Sequence, residues 1–186
     1  LMDVDFSFNL SYLQAGVLTA LGDKSTEAVA WALEELRAPK KEVIEGNIVV
    51  EMIDFNLAKV ILRTFSQESL PGLVSLYDSS DPLARRNVLW VLSGIPGEGV
   101  IKSMMVEALT DQRVCQEGEN DTDGRPLRVC DEAYNQIVLR CRITSGLRTI
   151  GPIHSLEARD YHIGELKKML GVGRGQRTRP DRGGKR

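Results

Sequence analysis

Apolar residues recur along this chain at helical rather than strand spacing. In residues 97–110, GEGVIKSMMVEALT, the stripe is Val100, Ile101, Met104, Met105, Ala108 and Leu109, with Lys102, Ser103 and Glu107 on the opposite face. Residues 126–142 repeat the pattern with Leu127, Cys130, Ala133, Tyr134, Ile137, Val138 and Cys141, and Pro126 suits a first turn, where its missing N–H costs nothing. In 81–92, DPLARRNVLWVL, Asp81 is an N-cap residue and Pro82 fits the position after it. The apolar run that follows predicts a helix buried on more than one side. Residues 26–37 place Ala28, Val29, Ala32, Leu33 and Leu36 on one face, and Pro39 ends the segment. A short helix is expected over 68–78, with Pro71 in or near its first turn. A final helix over 155–170 has Ser155 as cap and Leu156, Ile163, Leu166, Met169 and Leu170 inward, weakened at Gly164. Residues 41–65 read as one long helix or two, with the β-branched Ile48-Val49-Val50 leaving a strand as the alternative.

The periodicity stops at Leu170. The sequence GVGRGQRTRPDRGGKR that follows has five glycines and no aromatic residue, too little apolar surface to offset the entropy of ordering, so a disordered tail is expected over 171–186. The tail also divides the charge. It holds six cations (Arg174, Arg177, Arg179, Arg182, Lys185, Arg186) against Asp181, a net +5, so a chain of total charge −2 has a body, residues 1–170, at −7. With 42% hydrophobic and 27% charged residues, the chain has the make-up of a soluble globular protein. Its longest apolar run, Ala28 to Leu33, is far short of a membrane span. The N-terminus LMDVDFSFNL lacks the basic n-region of a signal peptide, and its opening at Leu1 fits a fragment or processed product. Three cysteines, an odd count, fit a reducing compartment such as the cytoplasm.

The helices are joined by short links except at 112–125, an insertion. Around it lies an internal repeat. Leu76-Tyr77-Asp78-Ser79-Ser80-Asp81-Pro82-Leu83-Ala84-Arg85-Arg86 and Leu109-Thr110-Asp111, insertion, Pro126-Leu127-Arg128-Val129 both run from the end of an amphipathic helix through an Asp-bearing turn to a Pro and an early Arg. On these residues the chain resembles the HEAT-repeat family. The resemblance covers 68–142, continues in degraded form over 18–65, and is absent from the tail. It implies an all-α domain over 1–170, a right-handed α-solenoid of three to four helical hairpins. It also implies a turn ladder, with Asp111 and Arg128 as one rung and Asp78 or Asp81 with Arg85 as another. The second helix of each pair would line the concave face, which nominates Lys102, Ser103 and Glu107 as a partner-binding surface.

Candidate chemistry is sparse. A calcium loop needs alternating oxygen ligands and a twelfth-position Glu. Glu119, Asp121, Asp123 and Gly124 fit its first half, but the twelfth residue is Cys130; a start at Asp121 brings Glu132 to twelfth with Arg125 and Pro126 at the wrong places. Zinc needs about four N/S ligands, and Cys115 and Cys130 have no histidine near them in sequence. A Cys115–Cys130 disulfide is open on spacing, whereas the apolar setting of Cys130 favours free thiols in an exposed helix-to-helix insertion. His154 and His162 read as turn and helix-surface residues. The glycines of 94–99 follow a helix and lack the Lys-Ser/Thr of a phosphate loop, so they read as a hairpin turn. The acid pairs Glu34-Glu35 and Asp131-Glu132 read as solvated helix faces. No catalytic residue, metal or cofactor is assigned.

These readings predict a non-catalytic protein-interaction or scaffold module with a protein partner. A nucleic-acid-associated protein is the alternative, with Arg174, Arg177, Arg179 and Arg182 of the tail as contacts; it has no tail aromatics to stack on bases, and the acidic body would repel a polyanion. The HEAT resemblance also admits a lyase or DNA-repair enzyme, for which no site is legible.

Overall fold

In the computed structural model, residues 16–17, 19–37, 41–44, 48–51, 53–78, 81–95, 99–117, 125–140 and 147–172 are described. They are mostly helical. In chain order the elements are α1 (Ser25–Arg37), β1 (Lys41–Ile44), β2 (Ile48–Glu51), α2 (Ile53–Thr64), α3 (Ser66–Tyr77), α4 (Pro82–Leu92), α5 (Gly99–Ala108), β3 (Val114–Gln116), β4 (Leu127–Arg128), α6 (Val129–Arg140) and α7 (Leu156–Met169). Among the described residues, no helix is long and apolar enough to cross a membrane.

The local signals explain some of these boundaries; the two prolines expected in first turns are not there, since α3 starts at Ser66 and encloses Pro71, and α6 starts at Val129, past Pro126 and β4. Asp81 caps α4 by accepting the Leu83 N–H at 2.9 Å, with Pro82 at the first helical position. Ser155 caps α7 by accepting the Ala158 N–H. Residues 41–65 differ from the helical expectation. The β-branched segments form an antiparallel ribbon, Val43 opposite Val49 and Ile44 opposite Ile48, and helix begins only at Ile53. The insertion is likewise partly structured. β3 and β4 pair across an irregularity between Val114 and Gln116, and Cys115 within it is buried. In α7, Ile163 and Leu166 face inward as expected, whereas Leu156 and Met169, at its two ends, are exposed. The tail beyond residue 172 lies outside the described residues.

One hydrophobic core runs from Val29 of α1 to Leu166 of α7. Its middle is α4, where Ala84, Val88, Leu89, Val91 and Leu92 are all at 0% exposure. This helix packs against α1, α2, α3, α6 and β3. A helix so enclosed must have its terminal carbonyls satisfied by protein. The following turn does part of this, with the Ser93 hydroxyl and the Gly94 and Ile95 N–H groups donating to the Trp90, Val91 and Leu92 carbonyls, and two arginines from flanking helices add a second donor to each. Arg63 of α2 donates to the carbonyls of Trp90 and Val91, and Arg140 of α6 donates to that of Leu92. Both place positive charge at the negative end of the α4 dipole. Burial pushes the Arg63 guanidinium below its ordinary value. Room for it comes from Gly94, where an added Cβ would fall on Nε and lie 2.6 Å from Cζ.

Replacing Gly94 with Ala is expected to push the Arg63 guanidinium off both carbonyls and destabilise the domain by about 1–3 kcal/mol. Chemical denaturation of G94A against wild type measures this. Unchanged stability would show that the two hydrogen bonds are dispensable.

Candidate functional site

Two polar constellations occupy the packed helices, and a third set of polar groups lies free on α5. The first constellation spans α2, α4 and α6. Phe55 and Lys59 are one turn apart on α2, as are Arg86 and Trp90 on α4 and Glu132 and Gln136 on α6, so each pair forms a column on its helix. Trp90 is the centre. Its ring lies 6.0 Å from that of Phe55, with Lys59 Nζ at 5.1 Å and the Arg86 guanidinium carbon at 4.5 Å from its centroid. Its indole N–H donates to Glu132 Oε1, which also accepts from Gln136 Nε2 at 2.6 Å. Arg86 in turn donates to Asn87 Oδ1 and, at 2.9 Å, to Gln116 Oε1 of β3. Asn87 donates to the Leu36 carbonyl at the end of α1.

The second constellation joins the insertion to α6 and α7. Asp131, at 0% exposure, accepts from Arg128 Nη2 at 2.7 Å and from Arg159 Nη1 at 2.7 Å. It also accepts the Arg128 backbone N–H at 3.0 Å, so it serves the start of α6 as the third-position acid of a capping box does. Arg159, itself fully buried, also donates to the Pro126 and His154 carbonyls. Arg128 reaches outward to Asp160 at 2.8 Å, and the hydrogen bond to Asp131 holds its guanidinium above the ordinary value.

Several expectations are corrected by this geometry. Asp131 and Glu132 do not lie on a solvated face. Both are buried, because the first turn of α6 inserts between α4 and α7, where arginines and an indole meet the carboxylates. Of the other pair, Glu34 is exposed against Arg37, but Glu35 is buried. The Asp111–Arg128 rung is not formed. Asp111 pairs with Arg85 at 3.2 Å and with Arg113 at 2.6 Å, whereas Arg128 is drawn to Asp131 three residues on and to Asp160. Arg85, which the ladder assigned to Asp78 or Asp81, thus reaches across to Asp111, and it also lies 4.6 Å from the Tyr77 ring. The hydrogen bond from Arg113 holds the Asp111 carboxyl below its usual range. Asp78 and Asp81 are exposed.

Cys115 and Cys130 are free thiols, both buried rather than displayed on an exposed loop. Burial pushes Cys115 up to about 12 and Cys130 up to about 11, which keeps both protonated and poorly nucleophilic. His154 accepts the Gly151 N–H at 3.0 Å within its turn, and His162 packs between the rings of Tyr134 and Tyr161. Among the described residues, no three His, Cys, Asp or Glu side chains gather as a metal site would require. Asp121 and Asp123, and the tail residues Arg174, Arg177, Arg179 and Arg182, lie outside the described residues.

The nominated surface on α5 has a different character. Lys102, Ser103 and Glu107 are exposed, and none of their side chains makes a hydrogen bond or ion pair among the described residues. Val100, at 52% exposure, stands on the same side, one turn before Ser103.

No protein-family model, no curated protein and no solved structure matches the chain.

Two outcomes test the buried chemistry. Asp131→Asn leaves Arg128 and Arg159 without their shared counter-charge and is expected to cost about 3–5 kcal/mol, the penalty for breaking a buried pair. A loss under about 1 kcal/mol in denaturant titration would show that the pair is solvated. In the native protein at pH 8, well below both raised thiol values, Cys115 and Cys130 should resist iodoacetamide and react only on unfolding, as read by peptide mass spectrometry.

Proposed function

We propose that this chain is a non-catalytic protein-interaction module of HEAT-like solenoid build, which presents the outer face of α5 to a protein partner. The solenoid reading is supported by the order of helix contacts. The first helices of successive pairs, α2, α4 and α6, pack side by side, and the second helices α3 and α5 are tied by Tyr77 Oη donating to the Met104 carbonyl at 3.0 Å.

The observation that carries the functional reading is the contrast in hydrogen bonding. Polar side chains between the helices are engaged with one another, as at Glu132, Asp131 and Arg159, and tie the helices together. Lys102, Ser103 and Glu107 have no such duty. A cation, a hydroxyl and a carboxylate on one helix face beside an exposed valine suit a partner with opposite charges and an apolar side chain.

Nuclease-treated affinity capture with mass spectrometry tests the reading. Bait variants would be the charge-swapped K102E/E107K chain and a chain with Arg174, Arg177, Arg179 and Arg182 replaced by Gln. A specific protein partner is expected to survive nuclease and the tail substitutions, and to fall at least tenfold with the charge swap. If every specific partner disappears with nuclease or with the tail arginines, the basic tail is the functional element and the scaffold reading fails.

A further inference from the structure

The outer side of α7 is a helix face that the domain leaves uncovered. Arg159, Ile163 and Leu166 turn α7 into the core. The opposite side carries, turn after turn, Glu157, then Asp160 and Tyr161, then Gly164, then Lys168. Tyr161 is 66% exposed, and Leu156 and Met169 stand exposed toward the two ends. Gly164 lies in the middle of this face. A Cβ added there would meet no atom within 4 Å among the described residues, and its backbone is ordinary helix with φ below zero. Neither packing within the domain nor backbone conformation calls for glycine here, although any other residue save proline favours a helix more. What glycine does provide is a shallow place in the face, where a side chain from outside can sink and a second helix can come close.

The charges on α7 match those of a second α7 run the other way. Glu157 is in its first turn, and Lys167 and Lys168 are in its last. Asp160 already pairs with Arg128 at 2.8 Å, and Lys168 with Glu165 at 2.6 Å, so the match lies in the pattern and not in an excess of either sign. The helix dipole favours an acid at one end and bases at the other, but it asks for neither Gly164 nor an exposed Tyr161. Two copies of α7 can be laid face to face and antiparallel about a two-fold axis between His162 and Ile163. Glu157 of each copy then comes opposite Lys168 of the other, and Tyr161 opposite Gly164, a side chain against a gap. Asp160 and Glu165 fall at the same height but on opposite flanks of the face, so the two acids are kept apart. A parallel pair would instead set acid on acid and ring on ring.

We infer that the outer face of α7 docks α7 of a second copy of this chain, antiparallel, with Tyr161 of each copy seated over Gly164 of the other and Glu157 beside Lys168. The inference goes beyond the proposed function, since it concerns α7 and not α5, and its occupant is the chain itself. The face of one 14-residue helix is small for a permanent interface, so the dimer is reversible and depends on concentration.

Sedimentation velocity of the full chain, from low micromolar to submillimolar concentration, tests it. The mass is expected to rise from one chain toward two and to stop there, because a two-fold contact is closed. Gly164→Gln fills the gap with a better helix former, so it should raise the thermal melt and yet weaken association at least tenfold. Tyr161→Ser, at an exposed position, should weaken association severalfold, and decides the matter if Gly164→Gln does not fold. Lys102→Glu on α5 should leave association unchanged. Carbodiimide cross-linking of an equal mixture of isotope-labelled and unlabelled chain reads the direction of the helices. Glu157 and Lys168 are about 16 Å apart along their own helix, too far for a direct amide, so a Glu157–Lys168 cross-link forms only between copies. Such cross-links, with one labelled and one unlabelled peptide, are expected in the mass spectrum. A chain that stays monomeric over the whole range overturns the inference, as does association that Gly164→Gln leaves intact, or growth past the dimer. Cross-links from Glu157 to Lys185, with association lost when Arg174, Arg177, Arg179 and Arg182 are replaced by Gln, also overturn it, since they assign the contact to the basic tail.

Discussion

A helix surrounded by other helices cannot leave its last carbonyls to water, and that constraint organises this domain. α4 is enclosed on several sides; the turn after it supplies the Ser93 hydroxyl and the Gly94 and Ile95 N–H groups to its last carbonyls, and second donors reach the same carbonyls from neighbouring helices. They come from α2 and α6, as Arg63 and Arg140. A neighbour that merely packed against α4 through apolar side chains could slide along it at small cost. One that delivers a guanidinium to a particular carbonyl has its register fixed. The glycine after α4 belongs to the same arrangement, since a side chain at Gly94 would occupy the space of the Arg63 guanidinium. The middle of α4 is fixed in a similar way, by Asn87 on the Leu36 carbonyl and Trp90 on Glu132.

Asp131 makes the corresponding joint at the other side of α6. A fully buried carboxylate loses its hydration, a penalty of several kcal/mol per ion, and two guanidiniums with a backbone N–H replace it. The geometry gains specificity more than stability, because an apolar core of the same volume would hold α6 to α7 without fixing where the insertion re-enters. Here Arg128 ends β4, Arg159 belongs to α7, and Arg159 also holds the Pro126 carbonyl. One carboxylate thus sets the relative position of the insertion, α6 and α7.

How legible this was depends on whether the cause was local. Asp81, Ser155 and the apolar stripes of 81–92, 97–110 and 126–142 act within a few residues, and the helices they imply form, α4 and α7 with the expected caps and α6 from Val129 rather than from Pro126. The ribbon at 41–51 was half-legible. Its β-branched residues signalled strand, but the apolar spacing of 53–62 continues helically and invited one longer helix. The burial of Asp131 and Glu132 was not legible as such. Acids in a first helical turn are usually solvated there, and the groups that bury these two, Arg159 and Trp90, are 28 and 42 residues away. A weak signal did exist: Arg128 stands three residues before Asp131, the spacing of a helix-start contact. The Asp111–Arg128 rung is missing for a related reason. Repeat logic assigned Arg128 to Asp111 by position, while a nearer carboxylate was available to it.

Burial separates two kinds of polar residue that the sequence could not tell apart. Glu132 and Glu107 both sit beside apolar stripes on amphipathic helices, and both read as members of a polar face. Glu132 is enclosed and bonded to an indole and an amide, so changing it perturbs the helix packing before it perturbs any encounter with another molecule. The Glu107 side chain is exposed and makes no hydrogen bond or ion pair among the described residues, so changing it alters the surface and leaves the fold. Trp90, Lys59 and Arg63 lie between these extremes, half-buried and bonded yet still reachable. For them a substitution perturbs packing and surface together, so its effect on the fold has to be measured before any other effect is read from it.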